Sequence, residues 1–459
     1  MDEPVALDAR FRPPAPTPRR APPDLFAFLR QARDNPLATW TRDHFEKPIV
    51  YGKGVLGRVM VLSDPRGIRR VLVENAANYR KDPLTKRVIG PGLFTAEGED
   101  WRMLRRTLAP MFSARTVAAF GEPMALAAHR LSRRLSRRDG RTVDMAIETT
   151  RLTLDVLERT IFTHGLQRDP DALGRALTRL FDAVGPIDPM DILGLPEWLP
   201  RLGRMQAQPS VDYFEKVVNE LIAGRRARVE AGEEVPSDLL TLLLAARDPE
   251  TGQGLSDLDV RANIVTFIAA GHETTANLLT WALYLISQDE GVRARLEAEV
   301  DAVVGAGPVA PEHAGALPYA KAVLEETMRL YPPAAFLSRE AIKEDRIEGV
   351  RLPAGSLVMI APWVLHRHKL LWAEPDLFDP GRFLGARRAE IDRYAYLPFG
   401  AGPRVCIGVT FSMQEALLAL AELVRVARFD LAPGHRVEPV QRVTLRPRGG
   451  LPMIVKLRR

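Results

Sequence analysis

Cysteine is almost absent: Cys406 is alone in 459 residues. One thiol cannot close an internal disulfide, so an oxidising compartment gains the chain nothing. With no C-x-x-C and no second cysteine, zinc-cysteine and iron–sulfur centres built on several thiolates are excluded. A leader's apolar run is also lacking. Met1 to Leu25 carries acids and prolines, and the reading is neither a signal peptide nor a membrane anchor. The most apolar span, Ile264 to Ile286, holds His272, Glu273 and Asn277 near its centre, where bilayer hydrocarbon makes ionisable groups costly. It reads as a long buried helix in a soluble, cytoplasmic protein. Internal repeats and flexible linkers are missing too, which points to one large domain over 1–459 with an extended proline-rich arm at 1–25.

What is present fits that outline. Apolar residues make up 46% of the chain, ample for a large core, and 27% charged residues speak against disorder or a membrane interior. The formal net charge is +6, but much of it is arginine interleaved with acids, as in Arg293 to Glu299. That pattern describes a solvated helix face and gives no ground for a nucleic-acid partner.

Along the chain, Val59 to Leu62 reads as a strand stopped by Asp64-Pro65. Helical periodicity dominates from Arg66 to Val304, with breaks at Gly121-Glu122-Pro123, Asp139-Gly140 and Asp248-Pro249. Gly185 to Pro200, with four prolines, reads as an irregular loop of the kind that forms lids or entrances. Ser256 and Asp259 form a variant capping box that opens the long helix ending near Ser287. A helix ending at Tyr331-Pro332-Pro333 follows, then strands between Gly349 and Pro362. A loop-rich stretch runs from His366 to Gly402, and Thr410 to Ala427 is helical. Arg442 to Lys456, turning at Gly449-Gly450, reads as a β-hairpin. The class is mainly α with a smaller β part.

Phe399-Gly-Ala-Gly-Pro-Arg-Val-Cys-Ile-Gly408 is the most informative segment. Gly400, Gly402 and Pro403 favour a tight, pre-set turn before Cys406, and a helix begins just after Gly408. Helix-terminal N–H groups and the nearby Arg404 favour a thiolate over a thiol, which suits a nucleophile or a soft metal ligand. Among metal centres a single thiolate on haem iron remains possible. Phe399, Gly402, Arg404, Cys406 and Gly408 match the FxxGxRxCxG signature, and here the chain resembles the cytochrome P-450 family. That resemblance implies the family fold, with the long central helix over the haem, and haem b (iron protoporphyrin IX) as cofactor. Cys406 is the implied iron ligand, within a loop that includes Phe399, Gly400 and Gly408.

Further motifs occur in the family's order. Ala270-Gly-His-Glu-Thr-Thr275 is similar to its oxygen-activating motif, which implies that Thr274 positions a proton donor and Glu273 relays protons from solvent. Glu326 and Arg329, with Arg382 in Phe378-Asp-Pro-Gly-Arg-Phe383, resemble a buried structural trio; Gly381 stands where the family usually has glutamate. Trp101 and Arg105 resemble the W-x-x-x-R element that meets a haem propionate, and Arg404 and Arg339 are further propionate candidates. Gly92-Leu93-Phe94-Thr95 resembles a loop over the haem in soluble bacterial fatty-acid hydroxylases. The implied substrate pocket takes in Phe94, Ala270, Thr274, Ala335 and Phe336. Some relatives carry at the place of Ala270 a glutamate that becomes esterified to haem; here the haem is expected to be held without such a bond.

The resemblance implies a monooxygenase acting on an apolar small molecule with O2. The chain ends about fifty residues after Cys406, so electrons are expected from a separate donor, a ferredoxin with its reductase. The arginines at 102, 105 and 106 offer a basic docking face. A peroxide-driven peroxygenase or a rearrangement catalyst on the same fold, and a non-catalytic haem-binding sensor, stand as alternatives.

Overall fold

The computed structural model describes residues 11–54, 57–82, 91–163, 170–185, 188–193, 195–196 and 198–458. The first ten residues of the arm, and positions 186, 187, 194 and 197 of the proline-rich stretch, lie outside the described residues.

Among the described residues, nine helices exceed ten residues: α1 Gly98–Leu108, α2 Gly121–Leu135, α3 Met145–Ile161, α4 Pro170–Val184, α5 Leu202–Glu230, α6 Asp257–Gln288, α7 Glu290–Val304, α8 Pro318–Leu330 and α9 Val409–Val426. The strands are β1 Ile49–Gly54, β2 Gly57–Leu62, β3 Tyr79–Arg80, β4 Thr142–Asp144, β5 Leu337–Ala341, β6 Asp345–Ile347, β7 Val350–Leu352, β8 Leu357–Ile360, β9 Ala427–Leu431, β10 Pro439–Gln441, β11 Leu445–Pro447 and β12 Pro452–Leu457. The mainly α reading with a smaller β part holds.

The axis of the molecule is α6. Ser256 Oγ accepts the Asp259 N–H at 3.1 Å and Asp259 Oδ2 accepts the Ser256 N–H at 3.2 Å, so two otherwise unpaired donors are satisfied at its start. At 1.5 Å per residue the helix runs roughly 48 Å, enough to cross the whole core. Its polar side chains are spent on neighbours. Thr280 meets Thr149 of α3 at 2.7 Å, Thr275 meets Ser412 of α9 at 3.1 Å, and Trp281 Nε1 donates to the Leu445 carbonyl of β11 at 3.1 Å. A largely apolar helix is thus buried on nearly every side inside protein, and no helix among the described residues is long and apolar enough to cross a membrane.

One sheet runs β1-β2-β8-β5-β3, with β2 and β8 parallel and the other pairs antiparallel. It has its own apolar core around Met60, Leu62, Val358 and Ile360, apart from the larger helical core. The hairpin expected across Gly449-Gly450 does not form. β11 pairs with β10, while β12 inserts between β4 and β9. The two glycines mark a crossing from one sheet to another, with φ of 74° and 89°. A Cβ on Gly450 would stand 2.2 Å from Asp144 Oδ2, so the second of them also allows close approach to β4. The arm wraps. The Phe11 ring packs edge-on against Tyr284, and the Pro14 carbonyl accepts the Tyr331 hydroxyl at 2.9 Å. Among the described residues of the proline-rich stretch, one helical turn, Pro189–Ile192, interrupts the expected irregular loop.

Candidate functional site

The turn ahead of Cys406 depends on glycine. Gly400 and Gly402 have φ of 73° and 72°, and a Cβ on Gly402 would meet the Leu72 carbonyl oxygen at 1.8 Å. Cys406 N–H donates to the Phe399 carbonyl at 2.9 Å, and Val405 N–H to that of Gly402 at 3.0 Å. Upstream, the buried His366 accepts the Leu397 N–H at its Nε2, 2.9 Å away. α9 begins at Val409 with Gly408 as its cap. Cys406 keeps exposed surface, yet protein packs densely around its sulfur. That combination describes a group facing an inner hollow.

The electrostatics differ from the sequence expectation. Burial pushes the thiol up from its ordinary value, while the Gly408 N–H and the Arg105 charge pull it back without prevailing. Arg404 is turned away: it donates to the Ala96 carbonyl at 3.0 Å and pairs with the Glu97 carboxylate. The cation that acts on sulfur is Arg105, whose Nη1 donates to the Val405 carbonyl at 3.0 Å. The chain therefore positions a thiol and leaves its ionisation to whatever cation binds there, as a metal ligand requires.

α6 shows an opening of its own. Within its largely buried run Ala270 is exposed and Thr274 partly so, while His272, Glu273 and Thr275 are buried. Thr274 Oγ1 donates to the Ala270 carbonyl at 2.7 Å, the bond one turn back that a mid-helix threonine favours. A Cβ on Gly271 would stand 3.1 Å from Leu157 Cδ2, so glycine here lets α3 approach closely. Burial pushes the Glu273 carboxyl up, with Arg446 and the Thr444 hydroxyl pulling it down. The loop ahead of α1 is tied to the same helix: Leu93 N–H donates to Asn263 Oδ1 at 2.9 Å, and a Cβ on Gly92 would strike Thr266.

Between that loop and the cysteine loop lies a set of cations. Arg404 stacks over Trp101 with its guanidinium carbon 4.4 Å from the ring centroid, and Lys81 Nζ sits 3.0 Å over the Phe94 ring. Burial, Arg339 and Arg404 bring the Lys81 ammonium down to about 6. Burial and Arg404 bring Arg339 down to about 10, and its Nη1 donates to the Ser338 carbonyl at 2.8 Å. Glu97 and Asp82 offset only part of this charge. Cations so crowded accept added carboxylates readily. A haem with its two propionates fits the donor set: a thiol to take iron, cations to take the carboxylates, and an open turn on α6.

Other expectations fall out unevenly. Glu326 and Arg329 are fully buried and doubly bonded, at 2.6 and 2.7 Å. Arg329 also donates to the carbonyls of His366, Pro375 and Leu377. Arg382 Nε stands 3.6 Å from Glu326, but its hydrogen bonds go to the Ala373 and Glu374 carbonyls. Phe336 has accessible surface. Ala335 has none to offer a substrate, being 1% exposed within the core. The expected basic docking face is partly spent on the protein's own acids, with Arg102 still exposed. Arg106 forks onto Asp248 and Arg102 pairs with Glu99, while Arg105 turns inward. Sequence reasoning missed Lys81, His366 and Arg446, whose settings depend on distant segments: Arg339 and Arg404 for the first, Leu397 for the second, Asp182 and Glu273 for the third.

A profile described as Cytochrome P450 matches residues 21–452. Cyclooctatin synthase of Streptomyces melanosporofaciens is 34% identical over 83% of this chain and 83% of that protein. Cyclooctat-9-en-7-ol 5-monooxygenase of the same organism is 32% identical over 82% of this chain and 81% of its own length. Protein LUTEIN DEFICIENT 5, chloroplastic, of Arabidopsis thaliana is 32% identical, covering 84% of this chain and 67% of that protein.

Proposed function

The chain belongs to the cytochrome P450 family and is a haem monooxygenase, and from that premise we propose that it inserts one atom of dioxygen into an apolar small molecule. Haem, taken here as haem b, supplies when bound the iron at which dioxygen is activated. Cys406 is the residue to ligate it. Trp101, Arg105, Arg404 and Arg339 of the sequence reading, with Lys81, hold the propionates, and with alanine at 270 no ester bond is needed. Thr274 can release the Ala270 carbonyl and turn its hydroxyl into the hollow to orient a proton donor. Glu273, kept toward its protonated form by burial, supplies protons. Ala270, Phe94 and Phe336 offer apolar contact to a substrate. A relative named as acting on cyclooctat-9-en-7-ol supports a cyclic, largely hydrocarbon substrate. Electrons come from an electron donor, which we take to be a ferredoxin with its reductase. We place the protein in the cytoplasm, since its lone cysteine needs no oxidising compartment.

The observation that carries this reading is that the accessible sulfur, the open turn of α6 and the cation set lie in segments the fold ties together. Reduced holoprotein under carbon monoxide is expected to give the red-shifted Soret band of thiolate ligation, and Cys406→Ser to lose it. A parent protein without that shift, at full haem loading, defeats the assignment. Substrate candidates are scored by the haem spin-state change. With a turned-over substrate, Thr274→Ala is expected to cut product by about 10²-fold while NADPH is still consumed.

A further inference from the structure

Two consecutive residues of α4 face α6, one directly and the other through an arginine of β11. The Phe181 ring stacks on the His272 imidazole, centroids 5.3 Å and planes 20° apart. Beside it, the Asp182 carboxylate accepts a hydrogen bond from Arg446 Nη2 at 2.6 Å, while Nη1 of the same guanidinium lies 3.7 Å from Glu273 Oε1. One arginine thus serves two carboxylates on two helices, tightly on α4 and loosely on α6.

Arg446 is itself held to the α6 side. Leu445, the residue before it, accepts the Trp281 indole N–H and donates to the Pro333 carbonyl at 3.0 Å. Thr444 accepts from Asn277 at 2.8 Å. Its backbone is therefore fixed, and the side chain alone is left to choose a partner. Asp182 is half exposed and Arg446 partly so, whereas Glu273 is buried with its Oε2 lacking a hydrogen-bond partner among the described residues. The other titratable groups nearby are His272, which burial brings down to about 4, and Arg442, which feels Asp182 and Arg446.

We propose that Arg446 is a positioning residue that sets the charge of Glu273, and that α4, through Asp182, sets how much of Arg446 Glu273 receives. This rests on the reading of Glu273 as proton relay and gives that relay its control. With α4 seated, Asp182 claims the guanidinium and Glu273 keeps its proton, ready to deliver. When α4 lifts, Arg446 swings to Glu273 and stabilises the carboxylate.

The test uses ferric holoprotein without substrate. The carboxylic C=O stretch of Glu273 is followed by infrared difference spectroscopy through a pH titration. The band is assigned by its loss in Glu273→Gln and separated from that of Glu415 with Glu415→Gln. Asp182→Asn is expected to lower the Glu273 midpoint by about one pH unit, and Arg446→Gln to raise it by a similar amount. Arg446→Lys should restore most of the parent value. In the Arg446→Gln background, Asp182→Asn should lower the midpoint by less than half as much, leaving only the direct effect of the Asp182 charge on Glu273. If it lowers the midpoint there as far as it does in the parent, Asp182 acts on Glu273 directly and the coupling is wrong. Unmoved midpoints in both single variants, at parent haem content and Tm, reject it equally. The relay reading fails separately: a solvent isotope effect on oxygen consumption that survives Glu273→Gln removes the relay and leaves the infrared result standing.

Discussion

Glu415 shows what one buried acid does to the energetics. It sits on α9, 2% exposed, with Oε1 lacking a hydrogen-bond partner among the described residues, and burial pushes its carboxyl well above the usual range. A carboxyl whose folded pKa exceeds its unfolded one is stabilising below the unfolded value, near 4.5 here. That contribution is lost as pH rises toward the folded value. Glu415→Gln is therefore expected to match the parent near pH 4.5 and to exceed it at pH 8 by about 1–3 kcal/mol. Thermal melts across that interval would show it, and a gap that does not widen with pH contradicts it. Cys406 follows the same rule of burial. The sequence shows a helix start and an adjacent arginine, both of which favour a thiolate, but it does not show that Arg404 turns to Glu97 or that desolvation prevails.

Among elements, α8 and the 366–379 segment, beyond β8, depend on one ion pair. Arg329 neutralises Glu326 and donates to three carbonyls between His366 and Leu377, while Glu326 accepts the Asp379 N–H at 2.9 Å. Arg329→Met takes the paired charge from a buried carboxylate, which keeps only the Asp379 N–H and the more distant Arg382, and leaves three carbonyls without the guanidinium. Its expected cost is about 3–5 kcal/mol in urea unfolding. Arg329→Lys should recover little, because one ammonium cannot reproduce a planar fork serving both faces. Features that a sequence states locally were legible here: the Ser256–Asp259 cap, the glycine turn before Cys406, the Tyr331-Pro332 stop. Those made by distant chain were not. The expected hairpin at Gly449-Gly450 failed because β12 finds β4 and β9 instead. Lys81 stayed hidden because the charges that depress it, Arg339 and Arg404, come from β5 and the cysteine loop. Ala335 looked like pocket because nothing in its own segment reveals that the core covers it.

For the molecule as a whole, the cation set predicts how the protein behaves without its cofactor. Lys81 in the fold sits at about 6 against an ordinary 10.5, so across that interval the unfolded chain binds more protons. The Lys81 contribution to the stability of haem-free protein should therefore rise with pH from 6 toward 10, against the opposite contribution of Glu415. Lys81→Met is expected to flatten that rise and make the haem-free protein more stable at neutral pH, yet to speed haem loss from the holoprotein. Melting of the two forms and haem transfer to an acceptor protein measure both sides. If Lys81→Met weakens both forms alike, its charge is not what matters.

The β4-β12-β9 sheet also bears on how the chain is made. Leu451 N–H donates to Asp144 Oδ1 across 307 residues of sequence, and β12 then covers the β4 edge. At about 5–20 residues per second, a ribosome needs roughly 15–60 s to deliver that covering strand after β4 has emerged. For that time the nascent protein carries an open strand edge beside helices already able to pack, a natural place for a chaperone to stand guard.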